Sequence, residues 1–413
     1  MINIIFKSNL LIALLFVVSG CSKQHLRNND FPQDSILIHA KSFFDGYKII
    51  KNRSILIVDG KIAQIDTPDS FKTGVSRVIN LDDATVLPGI IELHAHLKYK
   101  NIPAQTVLKH GITTIRDLGG PVHQPVAGKG DLRILTSGPI ITAVGGYPIP
   151  SLGAKNIAIA VETEKQARQA VQRLVKGGAV VIKVALEPGG ESGAPWSSHH
   201  GHGTQHHVSQ QNHNHHKNVP SLWPLLSTDI VKVIVDEAHK LNRKVTAHIG
   251  EATGAEIAIN AGVDEWAHLP CAKIPVPLLK KAVEQKVKIV TTIDTLSKCS
   301  GIMQNIEVLT HLGADFLYGA EIAHPDIPWG VDGQELMYMK HKMKMSALEV
   351  LSTATAKAGK HLNIPKLGTL QVGAPADIIA VKGNALENFK YLEHPDLVIS
   401  GGKVVVNNFV KIE

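Results

Sequence analysis

The chain holds only three cysteines in 413 residues, too few for a disulfide-stapled scaffold, so its fold must rest on an apolar core. It also lacks a hydrophobic run of membrane-spanning length. The stretch Leu10 to Val18 is nine residues long, whereas a spanning helix needs about 20. A third absence is any block of lysine and arginine. The formal charge is +7, but the basic residues are scattered, which speaks against the concentrated face that tracks phosphates, and no nucleic-acid partner is expected. What remains is an ordinary globular balance, with 44% hydrophobic and 19% charged residues. That is enough for one large domain and a smaller companion.

The N-terminus reads as an export signal. Lys7 supplies the positive region and Leu10 to Val18 the apolar one. Val18-Ser19-Gly20-Cys21 resembles a bacterial lipobox, with an ordinary signal peptide as the alternative. The lipobox implies removal of residues 1–20 and lipidation of Cys21 as the first mature residue. Residues 21–34 would be a polar tether, and Ser22 resembles the signal for outer-membrane sorting with the protein on the periplasmic face. The two remaining cysteines, Cys271 and Cys299, are expected to be unpaired thiols.

From 35 to 87 the pattern is short apolar strands and turns, with Asp59-Gly60 as a hairpin signal. A similar pattern returns over 366–413, so the two ends are expected to build one composite β domain, a small β-sandwich. Between them, 88–365 alternates apolar strands with amphipathic helices such as Glu164–Lys176 and Ser227–Leu241. Repeated βα units predict the α/β class and a parallel sheet, and their number predicts a closed (β/α)8 TIM barrel. Residues 189–218 break the pattern. They hold eight histidines between His199 and His216 and no apolar period, which predicts an exposed low-complexity insertion.

The motif with the most chemistry is Leu87-Pro88-Gly89-Ile90-Ile91-Glu92-Leu93-His94-Ala95-His96. On a strand, residues two apart face one side, so His94 and His96 can both point into the barrel and ligate one divalent metal. Here the chain resembles the amidohydrolase superfamily, in particular its imidazolonepropionase and Xaa-Pro dipeptidase-like branch. Lys183 lies in the apolar strand Val180 to Val184, where burying an ammonium is costly; desolvation favours the neutral amine that can capture carbon dioxide. The resemblance implies a carboxylated Lys183 bridging two metals, against the plainer reading of a lysine snorkelling at a strand end. It also implies that His248 and His268, each ending a further strand, bind the second metal.

One position departs from the family. Where Gly-Thr-Asp is usual, this chain has Gly319-Ala320-Glu321. Glu321 keeps carboxylate chemistry but carries it about 1 Å farther out, a displacement that can cost roughly 100-fold in rate. Adaptation of the site, weakened activity and lost activity are all open. Glu92 stands where an aspartate is common, and Tyr147-Pro148 follow Gly145-Gly146 where the dipeptidase branch often has a histidine.

The resemblance implies a metal-dependent hydrolase cleaving a carbon–nitrogen, amide-like bond by metal-activated hydroxide. Glu321 would be the catalytic acid and base, and His94, His96, Lys183, His248, His268 and Glu321 the ligands. The ions would be two, zinc fitting the donors best, with a single ion as the alternative. A dipeptide or N-acyl amino acid is the expected small-molecule substrate, the membrane is met through the anchor on Cys21, and oligomerisation is open. The competing expectation is a catalytically weakened lipoprotein that binds or buffers zinc through the barrel site and the histidine-rich loop.

Overall fold

The computed structural model describes residues 35–71, 75–126, 128–189, 193–195, 223–324 and 326–409. The expected signal, Cys21, the tether and nearly all of the histidine-rich insertion lie outside the described residues. Among the described residues, no helix is long and apolar enough to cross a membrane.

Eight short strands form the barrel, labelled β1 (Ile90–Ala95), β2 (Ile112–Asp117), β3 (Arg133–Thr136), β4 (Val181–Leu186), β5 (Lys244–Ile249), β6 (Glu265–Trp266), β7 (Lys288–Val290) and β8 (Asp315–Leu317). Strands β1 to β3 pair in parallel, as do β4 to β8. Two links join the groups into a ring. Val180 donates its N–H to the Thr136 carbonyl at 2.9 Å, and His96 donates to Ile322 at 3.0 Å beside a parallel Ala95–Ile322 bridge. The result is the (β/α)8 barrel expected from the repeated βα pattern. Strands β1, β2 and β4 are buried along their whole length, as parallel strands wrapped by helices are.

The helices begin and end where local chemistry dictates. In Glu164–Gly177, Thr163 and Gln166 form a reciprocal capping box, and Gly178 closes the helix in the left-handed region at φ 111°. Its buried residues Ala167, Ala170, Val171 and Leu174 recur at three- and four-residue spacing against the sheet. Ser227 caps Thr228–Lys240 by a single bond, its side chain accepting from Ile230 N–H. Sequence reading missed one feature between β3 and β4, the strand pair Ile140–Thr142 and Ala158–Ala160. Strands of three residues are too short to show a period.

Both chain ends build one eight-stranded sheet, with Thr85–Pro88 pairing on one side with Ile36–Phe44 and on the other with Ile378–Val381. Asp59 and Gly60 both take positive φ, 50° and 75°, in the predicted hairpin between Ile49–Val58 and Lys61–Asp66. Alternation divides the faces. Ile378 and Ala380 join a cluster with Ile38, Ile57 and Ile399, whereas Ile379 and Val381 turn to the barrel's core.

The cysteines correct an expectation. Cys271 and Cys299 form a disulfide with their Cα atoms 5.0 Å apart, rather than remaining two thiols. Each lies in the loop after one of two neighbouring strands, β6 and β7, so the barrel brings together residues that are 28 apart in sequence.

Candidate metal centre

The site is built where β1 ends. His94 is fully buried and His96 is 4% exposed. Period two sends both imidazoles to one side, and each Nε2 lies 3.5 Å from Glu321 Oε1. The ligand atoms of His94, His96 and Glu321 all fall within 4.8 Å of one another, a spacing that can hold a metal ion. Lys183, on β4, is 1% exposed, and its Nζ is 2.9 Å from His94 Nε2. His248 ends β5 and His268 follows β6; His268 Nε2 is 2.7 Å from His248 Nδ1. The His94 and His268 rings stack with centroids 5.8 Å apart, so the two histidine pairs adjoin. All six residues singled out in the sequence therefore converge.

The partners of the outer ring nitrogens fix which nitrogen faces inward. His94 Nδ1 lies 2.6 Å from the Ala267 carbonyl, and His268 Nδ1 lies 3.0 Å from that of Leu269. A carbonyl only accepts, so each Nδ1 carries the proton and each Nε2 keeps its lone pair for the site. Burial lowers the pKa of all four histidines, to about 3 for His96 and about 4 for His268. They are neutral imidazoles at physiological pH, the state a divalent ion requires. This donor set fits such an ion.

Burial also lowers the Lys183 pKa, to about 8, against the opposing pull of Glu321. For Glu321 the balance is reversed. Burial raises its pKa, but the facing His94 and His324 rings and the hydrogen bonds from His324 and His96 outweigh it, and the carboxyl stays well below its usual range. Glu321 is thus a carboxylate among neutral donors. Its Oε1 meets the imidazoles, while its buried Oε2 has no hydrogen-bond partner among the described residues.

Glu92 ties the two sides of the site together. One carboxyl oxygen accepts from His94 N–H at 2.6 Å and the other from Ala320 N–H at 3.0 Å. Burial pushes its pKa up to about 8, which these hydrogen bonds oppose. The close approach leaves no room beside it: a Cβ on Gly319 would lie 2.4 Å from Val290 Cγ1 and 3.1 Å from Glu92 Oε1. Asp117, at the end of β2, accepts from Leu97 and Lys98 N–H and so fixes the loop after His96.

Three groups were not identified as site residues from sequence. His324 Nε2 lies 3.2 Å from Glu321 Oε1. Glu187, four residues after Lys183, is fully buried with Oε2 3.7 Å from His248 Nε2. Tyr147, noted only as a departure from the resembling branch, stacks on His248 at 4.5 Å and beside Trp223 at 5.4 Å. Proximity in sequence to Glu321 and Lys183 was the available signal for the first two.

Comparison with known proteins agrees with this geometry. Residues 274–405 match the model of the Amidohydrolase family. Ochratoxinase of Aspergillus niger is 29% identical over 308 residues, which cover 69% of this chain and 58% of that enzyme's length. The crystal structure of ochratoxinase superposes with a TM-score of 0.69 at 19% identity, covering 90% of this chain and 96% of that one. A crystal structure of a Xaa-Pro dipeptidase with bound methionine gives 0.69 at 23% identity, covering 90% and 99%. The chain is thus similar to the Amidohydrolase family over residues 274–405, and it shares the barrel fold of these solved structures.

Proposed function

We propose that the protein is a metal-dependent hydrolase that cleaves a carbon–nitrogen amide bond, with a dipeptide or N-acyl amino acid as substrate. The observation that carries this is the convergence of Glu321 Oε1 on His94 and His96, with Lys183 Nζ 2.9 Å from the same His94 nitrogen. The names of the similar proteins, a dipeptidase and ochratoxinase, support an amide-cleaving reaction.

In this reading His94, His96 and Glu321 would hold one zinc ion, and His248 and His268 would supply ligands for a second. Lys183, with Nζ 2.9 Å from His94 Nε2, would add carbon dioxide through its neutral amine and release a proton, and the resulting anionic carbamate would serve as a further ligand. Bound there, divalent ions would supply Lewis acidity and lower the pKa of a water toward 7. The chain's own contribution is the proton. The Oε2 of Glu321 accepts it from the attacking water and delivers it to the leaving nitrogen. Tyr147 and Trp223 form an aromatic wall beside His248 that can cover an apolar substituent of the substrate.

We also propose that the mature chain is exported and anchored by a lipid on Cys21, in the outer membrane facing the periplasm. The Cys271–Cys299 disulfide supports an oxidising compartment. The test of function is metal analysis of purified protein with a screen of dipeptides and N-acyl amino acids, using Lys183→Ala and Glu321→Ala as controls. Turnover lost in both variants supports the reading. Bound metal without turnover of any amide would favour the zinc-buffering alternative.

A further inference from the structure

The carboxylate at 321 is held in an unusual way. Glu321 takes φ 61° and Ala323 φ 113°, so the chain leaving β8 turns sharply back. His324 N–H then donates to the Glu321 carbonyl at 3.3 Å, and Ile322 and His324 form a bridge. Left-handed backbone is costly for residues with a Cβ and persists where surrounding contacts enforce it. The consequence is local: the turn brings the His324 ring alongside the Glu321 side chain, with Nε2 3.2 Å from Oε1.

The three imidazoles around Oε1 are not equivalent. His94 has its proton committed to Ala267 through Nδ1, so its Nε2 faces the carboxylate with a lone pair. His96 Nε2 also faces Oε1, at 3.5 Å, but in the proposed reading an ion would take its lone pair and so remove that hydrogen bond. His324 is the ring left to donate a hydrogen bond to Oε1. Glutamate has one more side-chain torsion than aspartate, and without a tether its carboxylate would sample several positions across the cavity. Oε2 is buried and without a hydrogen-bond partner among the described residues. One oxygen is therefore tethered, and the other carries no such bond among the described residues.

We propose that His324 is a positioning residue that tethers the Glu321 carboxylate through Oε1 and leaves Oε2 to move the proton. The inference rests on the proposed hydrolase reading, and its test separates the two. The variants are His324→Gln, which keeps a donor near the Nε2 position, and His324→Leu, which keeps bulk without a donor. Each is loaded with Co²⁺ and compared with the wild type by metal stoichiometry, visible absorption spectrum and the kcat and KM of a cleaved amide.

His324→Leu should keep its metal but lose about 10- to 100-fold in kcat with little change in KM, as expected when a reacting group is misplaced by about 1 Å. Its Co²⁺ spectrum should shift because Glu321 is no longer held in one position. His324→Gln should recover most of the rate and the wild-type spectrum. Equal kcat and spectra in all three proteins would overturn the proposal, as would equal damage in both variants, which would mean that only the imidazole's packing matters. If the wild type cleaves no amide, the hydrolase reading fails, while the Co²⁺ spectra still report whether His324 holds the carboxylate.

Discussion

Removing the Cys271–Cys299 bridge offers a quantitative test of how the rim of the site is held. The bridge closes a loop with a sequence separation of 28. Loop-closure entropy for that length corresponds to about 3.5 kcal/mol of stabilisation, acting through the unfolded chain. In the native state other bonds already hold the same loop. Gly301 N–H donates to the Cys271 carbonyl at 3.0 Å, and Asn305 Nδ2 donates to the carbonyls of Pro270 and Ala272 at 3.0 and 2.8 Å. The double variant Cys271→Ala, Cys299→Ala should therefore lose about 3.5 kcal/mol in urea unfolding. Below the transition it should keep the wild-type metal content, although Cys271 follows His268 by only three positions. A variant as stable as the wild type, or one that is folded but stripped of metal, would refute the reasoning.

Other perturbations have equally definite outcomes. Asn305→Ala removes the two donations above and the acceptor for Ile274 N–H at 2.9 Å; leaving these groups unpaired should cost about 1–3 kcal/mol in the same unfolding assay. Gly319→Ala forces a Cβ to within 2.4 Å of Val290 and should lower thermal stability by about 1–3 kcal/mol and reduce bound metal together, because Glu92 and Ala320 must shift. Glu335 is fully buried, and burial raises its pKa from 4.5 to about 8. The folded state then binds a proton that the unfolded state releases, so this group's contribution to stability falls as pH rises from about 4.5 to about 8. Glu335→Gln should flatten that part of the urea-midpoint profile and be the more stable protein at pH 9; an unchanged slope would contradict the assignment.

Much of the barrel and its donors was legible because local pattern and global fold agree. His94 and His96 sit two apart on an apolar strand, and a parity argument needs nothing more. Lys183 stood out as the charged residue in a strand that is otherwise apolar, and burial is what makes that position informative. Glu321 was found through the resemblance, standing where the family has an aspartate after the last barrel strand. His324 was not, since three residues beyond a strand reads as loop, and only the positive φ values at Glu321 and Ala323 fold it back onto the site. Glu187 was hidden for a related reason: its relation to His248 is made between neighbouring strands β4 and β5, not along the chain. The disulfide was misread because pairing depends on two loops being adjacent in the ring, which cysteine spacing does not reveal.

The most direct test of the central claim is an anomalous difference map from zinc-loaded crystals, recorded across the zinc absorption edge. The account predicts strong peaks about 2.0–2.2 Å from nitrogens of His94, His96, His248 and His268 and from a Glu321 oxygen, with density extending from Lys183 Nζ as a carbamate between them. Zinc bound elsewhere with this cluster empty, or Lys183 and Glu321 turned away from the peaks, would contradict it.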